Sequence, residues 1–171
     1  MFLTACGGDD DTAPGKDAAS GRGEASDAAI LNSALDLENT AIAAYGAGAA
    51  LLKGPALEAG ELFLEQEREH ANGLAQAIKD LGVTPNKPKS AGEYTAMFPK
   101  LRNQKDVLEF AVDLENTAVA AYIDALPKLK SRELRGTAAA IITNEAEHIT
   151  VLLDALGQPA VPDAFVTGDR A

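Results

Sequence analysis

One ten-residue phrase is written twice in this chain. Residues 36–45 read DLENTAIAAY and residues 113–122 read DLENTAVAAY, so only Ile42 and Val119 differ. On a helix, Leu31, Leu35, Ile42 and Tyr45 fall on one face at three- and four-residue spacing, and Glu38 falls on that same face. Glu115 takes the equivalent place in the second copy. A chain that repeats a carboxylate inside an apolar stripe must either turn both stripes to water or bring both carboxylates to something that neutralises them.

Period and punctuation then mark out four helices. Apolar residues recur helically from Ala28 to Lys53, with Ser26 as a cap in front and Gly54 as a stop behind. Gly46 and Gly48 weaken that interior by about 1 kcal/mol each relative to Ala, which implies that packing there requires a small residue. Pro55 suits the first turn of a second helix, which carries Leu57, Phe63, Leu64, Leu74, Ile78 and Leu81 to a stop at Gly82. A third follows Asn103, with Asp106 placed to complete its cap, and runs to Leu126 before Pro127. The fourth begins near Ser131 and ends at Gly157. Residues 82–103 hold Pro85, Pro88 and Pro99 and cannot form one continuous helix. The short links make each pair of helices an antiparallel hairpin, and the long middle segment can travel back along a helix. The expected fold is therefore all-α: a four-helix bundle of two antiparallel hairpins joined by one long crossover. The absence of Trp and an aromatic content of 5% fit a helical chain.

The chain has two histidines, and each has a glutamate three residues before it: Glu67 before His70 and Glu145 before His148. That spacing sets carboxylate and imidazole side by side on one helical face. Glu69 and Glu147, one residue before each histidine, lie about 100° round the helix and should point elsewhere. Glu115 lies 77 residues after Glu38, while Glu145 and His148 each lie 78 residues after Glu67 and His70. Each half therefore offers one glutamate from its first helix and a Glu-x-x-His from its second. Four carboxylates meeting in a core cannot all stay ionised without counter-charge, and two divalent ions supply it. Carboxylate and imidazole suit iron or manganese, with no thiolate to favour structural zinc. Six protein ligands shared by two metals leave coordination positions open for O2, peroxide or water.

Twenty-six acidic against fifteen basic residues give a net charge of −11, which leaves no basic stripe for nucleic acid. Residues 1–27, rich in Gly, Ala, Ser and Asp, read as a flexible acidic tether, 28–157 as the bundle and 158–171 as an irregular tail. Leu3-Thr4-Ala5-Cys6 resembles the bacterial lipoprotein signal, in which the cysteine carries lipid. Cys6 is accordingly the expected anchor to a membrane, and the expected location is the bacterial cell envelope (periplasm). No apolar run reaches the ~18 residues of a membrane-spanning helix.

The order Glu38, Glu67-x-x-His70, Glu115, Glu145-x-x-His148, one group per helix, resembles the di-iron site of the ferritin-like superfamily over residues 28–157. With the Cys6 signal, the chain is similar to exported bacterial ferritin-like domain proteins. The resemblance implies two iron ions, with manganese an alternative. Glu38 and Glu115 would be terminal ligands, Glu67 and Glu145 bridging ones, and His70 and His148 would each serve one metal. Tyr45 and Tyr122, seven residues after the first-helix glutamates, resemble near-site tyrosines of bacterioferritins; a plain core aromatic would also sit there. No Cys-x-x-Cys pair suggests a rubredoxin domain, and Met1 and Met97 lie outside the four expected bundle helices, so no haem is expected. The implied activity is oxidation of Fe(II) by O2 or peroxide. A metal-sequestering protein without turnover and a metal-free interaction module remain open beside it, as does a homodimer.

Overall fold

The computed structural model describes residues 16–169, and among them every regular element is helical. Helix α1 spans Lys16–Gly48 and continues as a short 3-10 turn at Ala49–Leu51. Helix α2 spans Pro55–Asp80, α3 Ala91–Met97, α4 Gln104–Ala125 and α5 Arg132–Ala155. Gly82 and Gly157 close α2 and α5 at φ of 73° and 70°, and Gly54 opens α2 as its N-cap at φ of 54°, positive φ values that cost glycine little. Pro55 sits in the first turn of α2, and Asn103 and Ser131 cap α4 and α5 by accepting from the amides of Asp106 and Leu134.

Packing fixes the topology. Helix α1 packs on α2 and α4, and α5 packs on α4 and α2. Tyr45 of α1 meets Glu115 of α4 while Glu38 meets Tyr122, so these two helices run antiparallel. Phe63 of α2 meets His148 of α5 while His70 meets Glu145, which makes that pair antiparallel as well. The ends of α2 and the start of α4 therefore lie at opposite ends of the bundle, and the connection between them must run its whole length. This is the long crossover expected from the sequence.

That crossover is more ordered than its prolines suggested. It carries α3, whose cap Ser90 and Glu93 bond reciprocally, and Tyr94 is buried against α1. Asn86 ties the segment to α1, its amide donating to Asn32 at 2.7 Å and its side chain to Asp36 at 2.9 Å. Asp36, in the repeated phrase, thus serves as an anchor for the crossover rather than as a solvating charge alone.

The N-terminal boundary also differs from the sequence reading. Residues 16–27, assigned there to the tether, are the first turns of α1, and Ser26 lies inside the helix instead of capping it. The physical reason is Asp27. Its buried carboxylate accepts the amides of Lys130 at 2.8 Å and Ser131 at 2.9 Å, satisfying free donors ahead of α5. Residues 1–15, including Cys6, lie outside the described residues. Among the described residues after α5 there is no helix, and this segment folds back on α4, where a Cβ on Gly168 would come within 2.5 Å of the Asn116 carbonyl oxygen. Of the two glycines thought to need small size, Gly48 does: a Cβ there would lie 2.7 Å from Val107 Cγ1. Gly46 has nothing within 4 Å.

The core divides into two apolar clusters. One holds Ala41, Tyr45, Phe63, Val107, Val112 and Ile149. The other holds Leu31, Leu35, Leu74, Ile78, Tyr122 and Ile141. Helices α1, α2 and α5 pass from one cluster to the other at the height of their site glutamates, and α4 does so between Val119 and Tyr122. Replacing Asp27→Ala takes the acceptor from the amides of Lys130 and Ser131, so the unfolding free energy should fall by about 0.5–2 kcal/mol. The check is a urea midpoint lowered at unchanged slope, with Asp27→Asn recovering most of the loss.

Candidate metal centre

All six residues singled out by the sequence arrive in one layer between the two apolar clusters. Glu38, Glu67, Glu115, Glu145 and His148 are at most 1% exposed, and the side chain of His70 is 13% exposed. Glu69 and Glu147 point outward to solvent, as the helical geometry requires. Spacing explains the convergence. On α2 and α5 the glutamate and histidine are one turn apart on the inward face, while α1 and α4 each bring a single inward carboxylate.

The geometry is that of two overlapping four-residue sets. His70 Nδ1 lies 3.5 Å from Glu38, 3.7 Å from Glu67 and 3.2 Å from Glu145. His148 Nδ1 lies 3.4 Å from Glu67, 3.4 Å from Glu115 and 3.2 Å from Glu145. Within each set one donor atom per residue can be chosen so that all lie within 4.8 Å of one another, and Glu67 and Glu145 belong to both. Both imidazoles therefore turn the same nitrogen inward, toward shared carboxylates. Five of the inward atoms, Glu67 Oε1, both oxygens of Glu145 and the two histidine Nδ1 atoms, are buried without a hydrogen-bond partner. Buried polar atoms are rarely left so, and a concentration of them on one point is what a cation would satisfy.

Two tyrosines close the layer. Tyr45 OH donates to Glu115 Oε1, and Tyr122 OH donates to Glu38 Oε1, so each tyrosine serves the glutamate of the other copy of the repeat. Phe63 stacks on His148 with ring centroids 4.0 Å apart, and Gln66 Oε1 accepts from His148 Nε2 at 2.8 Å. Gln66 and Phe63 carry no signal in the sequence for these contacts beyond lying on α2 near Glu67. A cavity of about 20 Å³ between α1 and α4 reaches Glu38, Glu67 and Glu115. Its walls come in repeat-related pairs, Leu37 with Leu114, Thr40 with Thr117 and Ala41 with Ala118, and it has room for about one water-sized molecule.

The electrostatics separate the four carboxylates into two kinds. Burial drives Glu38 well above the usual carboxylate range against the pull of His70, and burial drives Glu115 up to about 8 against that of His148. Burial acts on Glu67 too, but His148 and His70 overcome it and bring that group down to about 2. Glu145 is lowered in the same way, burial being outweighed by the two histidines. Burial alone would lower the histidines, yet the surrounding carboxylates raise His70 to about 12 and His148 to about 11. Burial, and then the adjacent glutamate, keeps both tyrosines protonated as hydrogen-bond donors. Without metal the layer is thus divided: Glu67 and Glu145 are pulled toward the ionised form and both histidines toward the cation, while Glu38 and Glu115 are pushed toward the protonated form.

Comparison with known proteins agrees with this architecture. A family model described as the ferritin-like domain matches residues 26–158. A crystal structure of a conserved hypothetical protein, rv2844, from Mycobacterium tuberculosis is similar with a TM-score of 0.68 at 22% identity, over 77% of this chain and 97% of that one. A crystal structure from Bacillus anthracis str. Ames, described as ferritin like, diiron-carboxylate, is similar with a TM-score of 0.65 at 26% identity, over 78% and 96% of the two chains. No curated protein matches the chain. With a family model covering most of its length and a ferritin-like helical bundle observed, the chain belongs to the ferritin-like domain family.

Proposed function

We propose that the buried layer is a dinuclear metal centre that holds two iron ions and oxidises Fe(II) with O2 or peroxide. The observation that carries the reading is the pair of overlapping ligand sets with unpartnered inward atoms. Glu38 and His70 would hold one ion, Glu115 and His148 the other, and Glu67 and Glu145 would bridge them. A dinuclear carboxylate neighbour at 26% identity supports the same ligand chemistry. When bound, the two ions supply one electron each, enough to reduce peroxide to two waters with two protons taken up.

The remaining work belongs to the chain. Tyr45 and Tyr122 hold the terminal carboxylates in place from the opposite helix. The two apolar clusters keep bulk water from the layer, and the small cavity lined by Leu37, Leu114, Thr40 and Thr117 leaves room beside it for about one water-sized molecule. The same reading includes a lipid tether at Cys6 and a place in the cell envelope, on the strength of the Leu3–Cys6 pattern. Intact mass of membrane-extracted protein tests the tether, and an unmodified Cys6 thiol would end it.

Two measurements test the centre. Metal-free protein should take up two equivalents of Fe(II) anaerobically and then oxidise them when O2 or peroxide is admitted. The Glu67→Ala/Glu145→Ala variant should lose at least about 10- to 100-fold in iron affinity or oxidation rate, a loss that removing mere supporting contacts already causes elsewhere. Oxidation kinetics identical to the variant's would defeat the enzymatic reading. Two tightly held ions with no catalysed oxidation would favour sequestration.

Proton release gives the second. Glu38, Glu115, His70 and His148 carry protons that metal must displace, since ligands bind deprotonated. Affinity should therefore rise with pH. It should rise less steeply above about 8, where Glu115 has already lost its proton. Calorimetry in buffers of differing ionisation enthalpy reads the number released, and none released at neutral pH would contradict the protonation pattern.

A further inference from the structure

The two halves of the centre are built from repeated sequence, so their departures from symmetry carry information. Aligning Glu67-x-x-His70 with Glu145-x-x-His148 sets Phe63 against Ile141 and Gln66 against Asn144. Both departures touch the same imidazole. Phe63 stacks on His148 at 4.0 Å with the rings 30° apart, and Gln66 Oε1 bonds its Nε2 at 2.8 Å. His148 is fully buried. On the other side, the shorter Asn144 turns its amide to Glu147 at 3.3 Å instead of to a histidine. Among the described residues no side chain bonds His70 Nε2, and His70 is the one member of the centre with a side chain open to solvent, at 13%.

From this asymmetry we infer that the two metal positions are inequivalent: the Glu115/His148 position binds first and holds its ion, and the Glu38/His70 position is the exchangeable one, with Gln66 as the positioning residue that sets the order. The inference rests on the metal-centre reading and deepens it. The chemistry is direct. A hydrogen bond from Nε2–H to an amide oxygen fixes the tautomer in which Nδ1 presents its lone pair to the ion, and it raises ligand basicity. The stacked Phe63 ring removes the freedom to rotate away. At His70 neither restraint operates, so the ring must be ordered when the ion arrives, and the ordering cost falls on that site's affinity. Solvent at the edge of His70 also gives an arriving or departing ion a partly hydrated path, which His148 lacks.

Divalent manganese is the probe, because isolated and spin-coupled ions differ in their electron paramagnetic resonance spectra and no turnover is needed. In the unaltered protein, the first equivalent of Mn2+ should give the isolated-ion spectrum and the second should convert it to the coupled one. Gln66→Leu should weaken the tighter step by about 10- to 100-fold and erase the order, leaving the weaker step within about twofold. Gln66→Glu retains an acceptor oxygen and should preserve the order. Asn144→Leu should change neither step, and thermal melts of the metal-free variants control for folding. A coupled spectrum at substoichiometric Mn2+ in the unaltered protein, or equal effects of Gln66→Leu on both steps, would overturn the inference while leaving the dinuclear centre intact. No Mn2+ uptake at all would defeat the metal-centre reading itself.

Discussion

Burial of four glutamates at one height in a helical core is the constraint that the rest of this bundle answers. Each ionised carboxylate costs several kcal/mol to bring out of water, and two or more of them within a few ångströms repel. Without metal the chain meets that cost by placing two histidines among them and pushing Glu38 and Glu115 toward their protonated forms. The layer is still short of partners, with five inward atoms unbonded. Such an arrangement is a poor way to stabilise a bundle. Apolar residues of similar volume would do better, which is why a purely structural explanation of the layer fails on energetic grounds.

The layer also dictates the topology. Two carboxylates common to both sets and two histidines come from α2 and α5, and one further glutamate comes from each of α1 and α4, so the two hairpins face each other across the layer. With α1 and α4 antiparallel, the chain has to leave α2 at one end and re-enter at the other. The crossover is held in that course by Asn86 on Asn32 and Asp36, by Tyr94 under α3, and by Lys53, whose amide donates to Gln104 at 3.0 Å. One of these anchors, Asp36, sits on the same turn of α1 as Glu38. The connection that closes the fold and the residue that builds the centre therefore share one stretch of helix.

How much of this was legible beforehand follows from what a linear pattern can encode. The six centre residues were readable because helical periodicity is local: Glu67 and His70, or Glu145 and His148, share a face whatever surrounds them. The crossover was readable from loop length and from the offsets of the two halves, which agree to within one residue. The start of α1 was not, because residues 16–27 lack an apolar stripe and their ordering depends on Asp27 reaching the amides before α5, over a hundred residues away. Nor could Gln66 be singled out. Its hydrogen bond exists only because α2 and α5 lie side by side, and a glutamine on a helix otherwise reads as surface.

The crossed tyrosines lie between these cases, because geometry forces what the sequence only hints at. Tyr45 stands seven residues beyond Glu38, about 10.5 Å along the axis at 1.5 Å per residue. On an α-helix side chains lean toward the N-terminus, so Tyr45 leans back toward the centre while Glu38 leans away from it. The two cannot meet. On the antiparallel α4 the lean is reversed in space, and Glu115 tilts toward the level of Tyr45 just as Glu38 tilts toward that of Tyr122. A glutamate and a tyrosine seven apart on each of two antiparallel helices must therefore bond across the pair. The crossing does more than hold two carboxylates. A slip of α1 against α4 by a single turn, about 5.4 Å, would break both bonds at once and strip the terminal glutamates of their donors. The repeated phrase thus encodes the register of the helices as well as the carboxylates they deliver.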